Sequence, residues 1–134
     1  MPDVQISPLG VALATLASMM IGGLWYSPVL FEKVWLKALG KKKEDITGAG
    51  KSMAIMLFVA LLTAYVMAHF ADYVHARTAS QGAQLGFWLW LGFVATTSFI
   101  TTTFENRSRT LYLIFVVYQL VSFLAMGMIL AIFT

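Results

Sequence analysis

Four long stretches of this chain contain no Asp, Glu, Lys or Arg, and they constrain its fold more than any other feature. They cover residues 4–31, 52–71, 78–104 and 110–134 and are mostly apolar. Each is longer than the roughly 18 uncharged residues that mark a helix able to cross a bilayer. Backbone groups in lipid must find their hydrogen bonds within the segment, which favours helices. The sequence therefore predicts an all-α polytopic membrane protein with four transmembrane helices in an antiparallel bundle.

The four stretches make up most of the 134 residues, so we expect a single integral membrane domain over 1–134. The predicted transmembrane helices cover about 8–27, 53–71, 82–104 and 110–133. Between the first two, Ser27 and Pro28 form a helix-start signal, and Gly40 stands where a helix-ending glycine belongs. Apolar residues at helical spacing lie between these signals. We predict a short amphipathic helix over about 28–39, lying in the membrane interface with Ser27 as its N-cap.

The basic residues predict the orientation of the chain. Of nine Lys and Arg, six lie between the first and second spans, two between the third and fourth, and only Arg77 between the second and third. Loops rich in Lys and Arg stay in the cytoplasm. We therefore predict that both termini lie outside the cytoplasm. No basic residue precedes Lys33, so we expect the first helix to remain as a span and not to be a cleaved signal peptide.

Small residues recur at every fourth position on the first two spans. Close packing of apolar helices in lipid relies on such residues. We expect a tight contact between these two spans, with a contact to another copy of the protein as the alternative. The two stripes consist of Gly10, Ala14, Ser18 and Gly22, and of Ala60, Ala64 and Ala68.

Polar residues on all four spans fall at a similar predicted depth, given the ~1.5 Å rise of each helical residue. These are Ser18, Thr63, Thr97 and Gln119. Because an unsatisfied amide is costly in hydrocarbon, we expect Gln119 to face the bundle and to bond Thr97 or Ser98. We interpret the layer as hydrogen bonding between helices; a polar waist for a small substrate is the alternative.

Glu105 ends the third span beside Arg107 and Arg109. A carboxylate at a helix C-terminus opposes the helix dipole and needs a cation nearby. We expect an ion pair that fixes the two basic loops against each other. A proton-linked carboxylate is the alternative.

Two histidines, His69 and His75, flank Asp72 at the other end of the second span. Their helical spacing turns the two imidazoles in different directions, so one metal ion would not easily reach both. We expect a solvated cluster, and neither a metal site nor a bound cofactor.

Aromatic residues near the end of the first span, Trp25 and Tyr26, and Trp35 beyond them, are expected at the headgroup level. The surrounding run, GLWYSPVLF over 23–31, resembles the signature of a family of small bacterial integral membrane proteins known only as a domain of unknown function. The resemblance continues through 64–66, 87–93 and 102–105, and so extends over nearly the whole chain. It implies a four-helix protein of the bacterial inner membrane with no established activity.

The function classes are limited by what the chain carries. There is no cysteine, and no nucleophile, base and metal ligand fall at one depth, so we do not expect an enzyme. The first span also lacks the acidic residue of four-helix drug exporters. We predict a non-catalytic accessory subunit or self-associating scaffold, with a small-molecule transporter or channel acting as a homo-oligomer as the alternative. The expected partners are the bilayer and copies of this chain or other membrane subunits, and not nucleic acid.

Overall fold

The computed structural model describes residues 3–134, which form four long apolar helices packed together with a short helix between the first two. The helices are α1 (Pro8–Trp25), α2 (Glu32–Leu39), α3 (Ala49–Tyr73), α4 (Ala79–Phe104) and α5 (Arg109–Ile132). All of them except α2 are long and apolar enough to cross a membrane. The predicted all-α fold class is confirmed.

The two ends of the bundle differ in charge. The α1–α3 and α4–α5 connections lie at the same end, where side chains from both line one groove. Eight of the nine Lys and Arg residues lie in these connections or in the adjoining helix starts, and we call this the basic end. At the opposite end, the Gln5 N–H donates to Asp72 Oδ2 at 3.0 Å, and Gly10 lies against Phe133. The start of α1 therefore meets the ends of α3 and α5 there.

The start of α4 is fixed by a reciprocal cap. Thr78 Oγ1 accepts the Gln81 N–H at 3.2 Å, and Gln81 Oε1 accepts the Thr78 N–H at 3.3 Å. Such a pair satisfies backbone donors that a helix start leaves free. The helix therefore begins at Ala79, earlier than the predicted start near 82.

The short helix α2 begins later than the sequence signal indicates. Residues 28–31 form turns, and Phe31 occupies the N-cap position. The Ser27 hydroxyl donates to the Leu24 carbonyl at 2.6 Å, so it bonds the end of α1 and cannot cap α2. The predicted N-cap role of Ser27 is therefore wrong. Gly40 does end the helix, with a φ of 70° that glycine adopts without strain.

The closest packing in the bundle joins the first part of α4 to the second half of α5. A Cβ atom added to Gly82 would collide with the carbonyl oxygen of Gly127, and one added to Gly86 with that of Phe123. The two backbones touch directly, which a side chain at either position would prevent. Gly82 and Gly86 are four residues apart, the spacing typical of tight packing in membranes. This pair is absent from the predicted stripes, although its spacing is legible in the sequence.

The residues of both predicted stripes are buried inside the chain. Ala14 of α1 and Ala64 of α3 belong to the same core cluster, so the first two spans do pack together. Two residues of the α1 stripe, Ser18 and Gly22, nevertheless contact α5. A Cβ on Gly22 would lie 3.0 Å from the Tyr118 hydroxyl, and Ser18 accepts a hydrogen bond from Ser122 at 2.9 Å.

The predicted contact between the first two spans is therefore present, and the α1 stripe packs against α5 as well. The reason is the central place of α5, which packs against α1, α3 and α4 together. Adjacency in the chain identifies one neighbour of a helix, whereas a central helix collects contacts from several sides.

Two spanning helices are largely exposed at the basic end. Every residue of α3 over 49–59 is exposed, and the last part of α4, Thr96–Phe104, contains no buried residue. A π-helical turn, Leu91–Ala95, separates this part of α4 from the part that packs on α5. Tight packing of α3 and α4 is thus confined to the half of the bundle farther from the basic end.

Candidate functional site

One groove at the basic end brings together the end of α1, α2, α4 and α5. We call it the α2 groove, and its volume is about 460 Å³. Aromatic, hydroxyl and basic side chains line it, so it offers apolar surface together with hydrogen-bonding groups. The lining residues are Tyr26, Trp35, Leu39, Thr97, Ser98, Thr101, Thr102, Arg107, Ser108, Leu111, Tyr112 and Phe115. Three of the predicted site residues, Tyr26, Trp35 and Thr97, therefore meet here.

The aromatic residues predicted for the membrane interface hold α2 against the bundle. Trp25 Nε1 donates to the Ile114 carbonyl at 3.0 Å, which ties the end of α1 to α5. The ring of Tyr26 packs edge-on against Trp35, with centroids 5.2 Å apart, and against Tyr118 at 5.7 Å. Edge-to-face pairs of this kind are favourable beyond the area they bury. The side chains thus link α1, α2 and α5 at one point.

Burial raises the pKa of Tyr26 to about 12, with the neighbouring Tyr118 adding to the effect. The side chain therefore stays a neutral phenol well above physiological pH. Its O–H remains a hydrogen-bond donor at the edge of the α2 groove.

Threonines form the α4 wall of the groove. Thr97 Oγ1 donates to the Phe93 carbonyl at 2.7 Å, and Thr101 Oγ1 donates to the Thr97 carbonyl at 3.2 Å. From α5, the Tyr112 hydroxyl donates to the Ala95 carbonyl at 2.9 Å. Hydroxyls bonded to the preceding turn of their own helix need no partner elsewhere. The hydroxyls of Thr97 and Thr101 therefore have their hydrogen-bond partners within α4.

The ion pair of Glu105 is local. Arg107 Nε lies 2.6 Å from Glu105 Oε2, and the two side chains are 62% and 54% exposed. The expectation that this pair joins the two basic connections was wrong, because a partner two residues away in the same turn is reached first. Exposed pairs of this kind contribute little to stability. The aromatic contacts of Tyr26 tie the α1–α3 connection to α5.

Gln119 does not make the predicted hydrogen bond to Thr97 or Ser98. Its amide is half-buried and has no hydrogen bond to another residue of 3–134, and the Thr97 hydroxyl is already bonded to its own helix. Between side chains, the Ser122 hydroxyl donates across the bundle to Ser18 Oγ at 2.9 Å. Thr63, the remaining member of the predicted layer, bonds the Val59 carbonyl of its own helix at 2.8 Å.

His69 lies at the opposite end, away from the α2 groove. Its Nδ1 is 2.9 Å from the Tyr65 carbonyl, and the two rings meet edge-on at 4.7 Å. Asp72 pairs with Arg77 at 2.8 Å and not with a histidine side chain. Within residues 3–134, no three His, Cys, Asp or Glu side chains come close enough to hold a metal ion.

Two α5 tyrosines position the groove without having been among the predicted residues. Tyr112 bonds α4, and Tyr118 supports Tyr26 and fills the space beside Gly22. The sequence signal for both was a polar-tipped ring inside an apolar span, where the O–H needs a partner.

Comparison with known families identifies the chain. The model of the family described as "Protein of unknown function (DUF1761)" matches residues 9–131, from α1 almost to the end of α5. The chain belongs to the DUF1761 family. The resemblance to a domain of unknown function is thereby confirmed. No curated protein and no solved structure matches the chain.

Proposed function

We propose that this DUF1761 protein is a non-catalytic membrane scaffold or accessory subunit, and that its first partner is a second copy of itself. The observation that carries this proposal is the exposure of the whole first part of α3, residues 49–59, at the basic end. A spanning helix that is exposed along half its length must be covered by lipid or by another spanning helix.

The free half of α3 carries features that favour a helix over lipid. Gly50 and Ala54 are exposed and four residues apart, and a Cβ on Gly50 would meet nothing within 4 Å. Leu57, on the same helical face, is 52% exposed. Small residues at this spacing let two helices approach closely in lipid. The same face of a second copy supplies the same small residues, so a symmetric pair of α3 helices fits.

The positions of the ionisable residues support a non-catalytic role. Glu105 is in an exposed ion pair, and Asp72 is bonded to Arg77 and to the N-terminal segment. His69 bonds backbone and packs on Tyr65. Each group is engaged separately, whereas acid–base or nucleophilic catalysis needs them gathered at one site.

The absence of cysteine allows a clean cross-linking test. In the Leu57→Cys variant, oxidation in native membranes is expected to give a disulfide-linked dimer on a non-reducing gel. Leu16→Cys is the matched control, because Leu16 is 55% exposed on α1, at a similar distance from the basic end. It is expected to remain monomeric.

Cross-linking at both positions to the same extent would indicate random collision and would overturn self-association through α3. Cross-linking at neither position, with the protein eluting as a monomer in mild detergent, would also overturn it. A stable complex with a different polypeptide at fixed stoichiometry would replace the scaffold by the accessory-subunit form of the proposal.

A transporter acting as a homo-oligomer is the second candidate, and the α2 groove favours it. The groove carries hydroxyls along α4 and a basic residue at its mouth. In one copy the glycine contact between α4 and α5 closes the other half of the bundle. A transport path across the membrane would therefore need a second copy or a movement of these helices. Proton-linked uptake into proteoliposomes that Glu105→Gln abolishes, without a change in folding, would support this candidate over the scaffold.

We further propose that the protein resides in a bacterial inner membrane with both termini outside the cytoplasm. The support is the placement of eight of nine Lys and Arg residues at one end of the bundle. The exposed parts of α3 and α4 at the basic end would then lie in the cytoplasmic leaflet.

A further inference from the structure

A second groove lies along the α4–α5 hairpin, and we call it the hairpin groove. Its volume is about 510 Å³, and no residue of α2 lines it. Asn106, Arg107 and Arg109 line the part nearest the basic end, whereas Phe99 and Leu113 line the deeper part. The helical rise places these apolar residues roughly 6–8 Å below the ends of the two helices. The groove is therefore polar at its mouth and apolar in its depth.

The hairpin groove opens sideways towards the bilayer. Phe99 is 58% exposed and Leu113 is 57% exposed, and all its lining residues come from α4, α5 and the turn between them. A ligand in it therefore contacts lipid tails along one side. A small soluble anion fits the groove less well, because the deeper part, with Phe99 and Leu113, would offer that anion no hydrogen bond.

The mouth of the groove carries an unbalanced positive charge. Arg107 is paired with Glu105, but Arg109 makes no ion pair within residues 3–134. A guanidinium group binds phosphate through two parallel hydrogen bonds, and its long side chain can reach the headgroup level. The Asn106 amide adds a neutral donor at the same mouth.

We propose that the hairpin groove is a binding site for an anionic phospholipid. The headgroup phosphate lies between Arg107 and Arg109, and an acyl chain runs over Phe99 and Leu113. The match rests on three independent properties of the groove: its charge, its gradient from polar to apolar, and its opening to the bilayer. This site is separate from the α3 face proposed for self-association.

The test is lipid titration of the detergent-purified protein, followed by native mass spectrometry. Phosphatidylglycerol is expected to bind with fixed stoichiometry and about fivefold more tightly than phosphatidylcholine, since each basic residue near an anionic surface contributes on the order of a factor of five and Arg107 is already paired with Glu105. Arg109→Gln is expected to remove most of this preference. Lys51→Gln is the matched control, because it removes one positive charge from the same end of the bundle but outside the groove.

Two further variants separate the headgroup from the tail. Arg109→Lys keeps the charge but not the double hydrogen bond, so binding is expected to fall less than in Arg109→Gln. Leu113→Asn is expected to weaken the binding of both lipids and to leave the preference for phosphatidylglycerol unchanged. Equal binding of the two lipids by the unmodified protein would overturn the proposal. So would an equal loss in Lys51→Gln and Arg109→Gln, or displacement of the lipid by millimolar inorganic phosphate.

Discussion

Two neighbouring glycines near the end of α1 occupy very different surroundings. A Cβ on Gly22 would lie 3.0 Å from the Tyr118 hydroxyl, whereas one on Gly23 would meet nothing within 4 Å. Gly22→Leu is therefore expected to lower the free energy of unfolding by about 1–3 kcal/mol, the usual cost of overpacking. Gly23→Leu is expected to change it by less than about 0.5 kcal/mol, as for other surface positions.

Reversible unfolding in mixed micelles of a mild and a denaturing detergent measures the free energy of unfolding of both variants. A loss of assembly without a loss of monomer stability in Gly22→Leu would mean that the α1 stripe is an interface between copies. Equal losses in the two variants would contradict the assigned contact with Tyr118.

At this scale the sequence predicted which small residues are buried but not what they touch. The four-residue spacing made the stripe of Gly22 visible, because burial of a helix face leaves a periodic pattern. The partner, Tyr118, comes from a helix distant in the chain, and no local pattern encodes that choice. The wrongly predicted hydrogen bond of Gln119 has the same origin, since Thr97 and Ser98 lie beyond the part of α4 that packs tightly on α5.

Along α4, two glycines distinguish the packed part of the helix from the free part. Gly86 touches the backbone of α5, whereas a Cβ on Gly92, in the π-helical turn, would meet nothing within 4 Å. Gly86→Ala must force α4 and α5 apart, and we expect it to cost about 1–3 kcal/mol of stability. Gly92→Ala is expected to be neutral or slightly stabilising, because alanine favours helix by up to about 1 kcal/mol over glycine.

Thermal unfolding in the same detergent measures both alanine variants, with circular dichroism as the readout. If Gly86→Ala were as stable as Gly92→Ala, the direct backbone contact between α4 and α5 would be incorrect.

Element types were predictable because long uncharged stretches leave no alternative to helices in lipid. Element starts were less predictable, because caps depend on side-chain geometry. Ser27 and Pro28 form a valid start signal, yet the Ser27 hydroxyl bonds the helix that precedes it. Thr78 and Gln81 form the cap of α4, and both residue types were legible in the sequence.

For the whole molecule, the distribution of charge predicts the orientation in the membrane. A single cysteine in place of Lys43, at the basic end, is expected to react with a membrane-impermeant maleimide only after the cells are opened. A cysteine in place of Thr134 is expected to react with the same maleimide in cells in which only the outer membrane has been permeabilised. The reverse pattern would overturn the orientation, and the cysteine-free chain gives no background labelling.

Helix packing differs between the two halves of the bundle. Where Gly82, Gly86 and Gly127 bring α4 and α5 together, the helices take up little lateral area. At the basic end, the first part of α3 and the last part of α4 are mostly exposed, and lipid tails or another chain must cover them. The two leaflets therefore meet different surfaces of one chain: close helix packing in one leaflet, and exposed helix faces and grooves in the other.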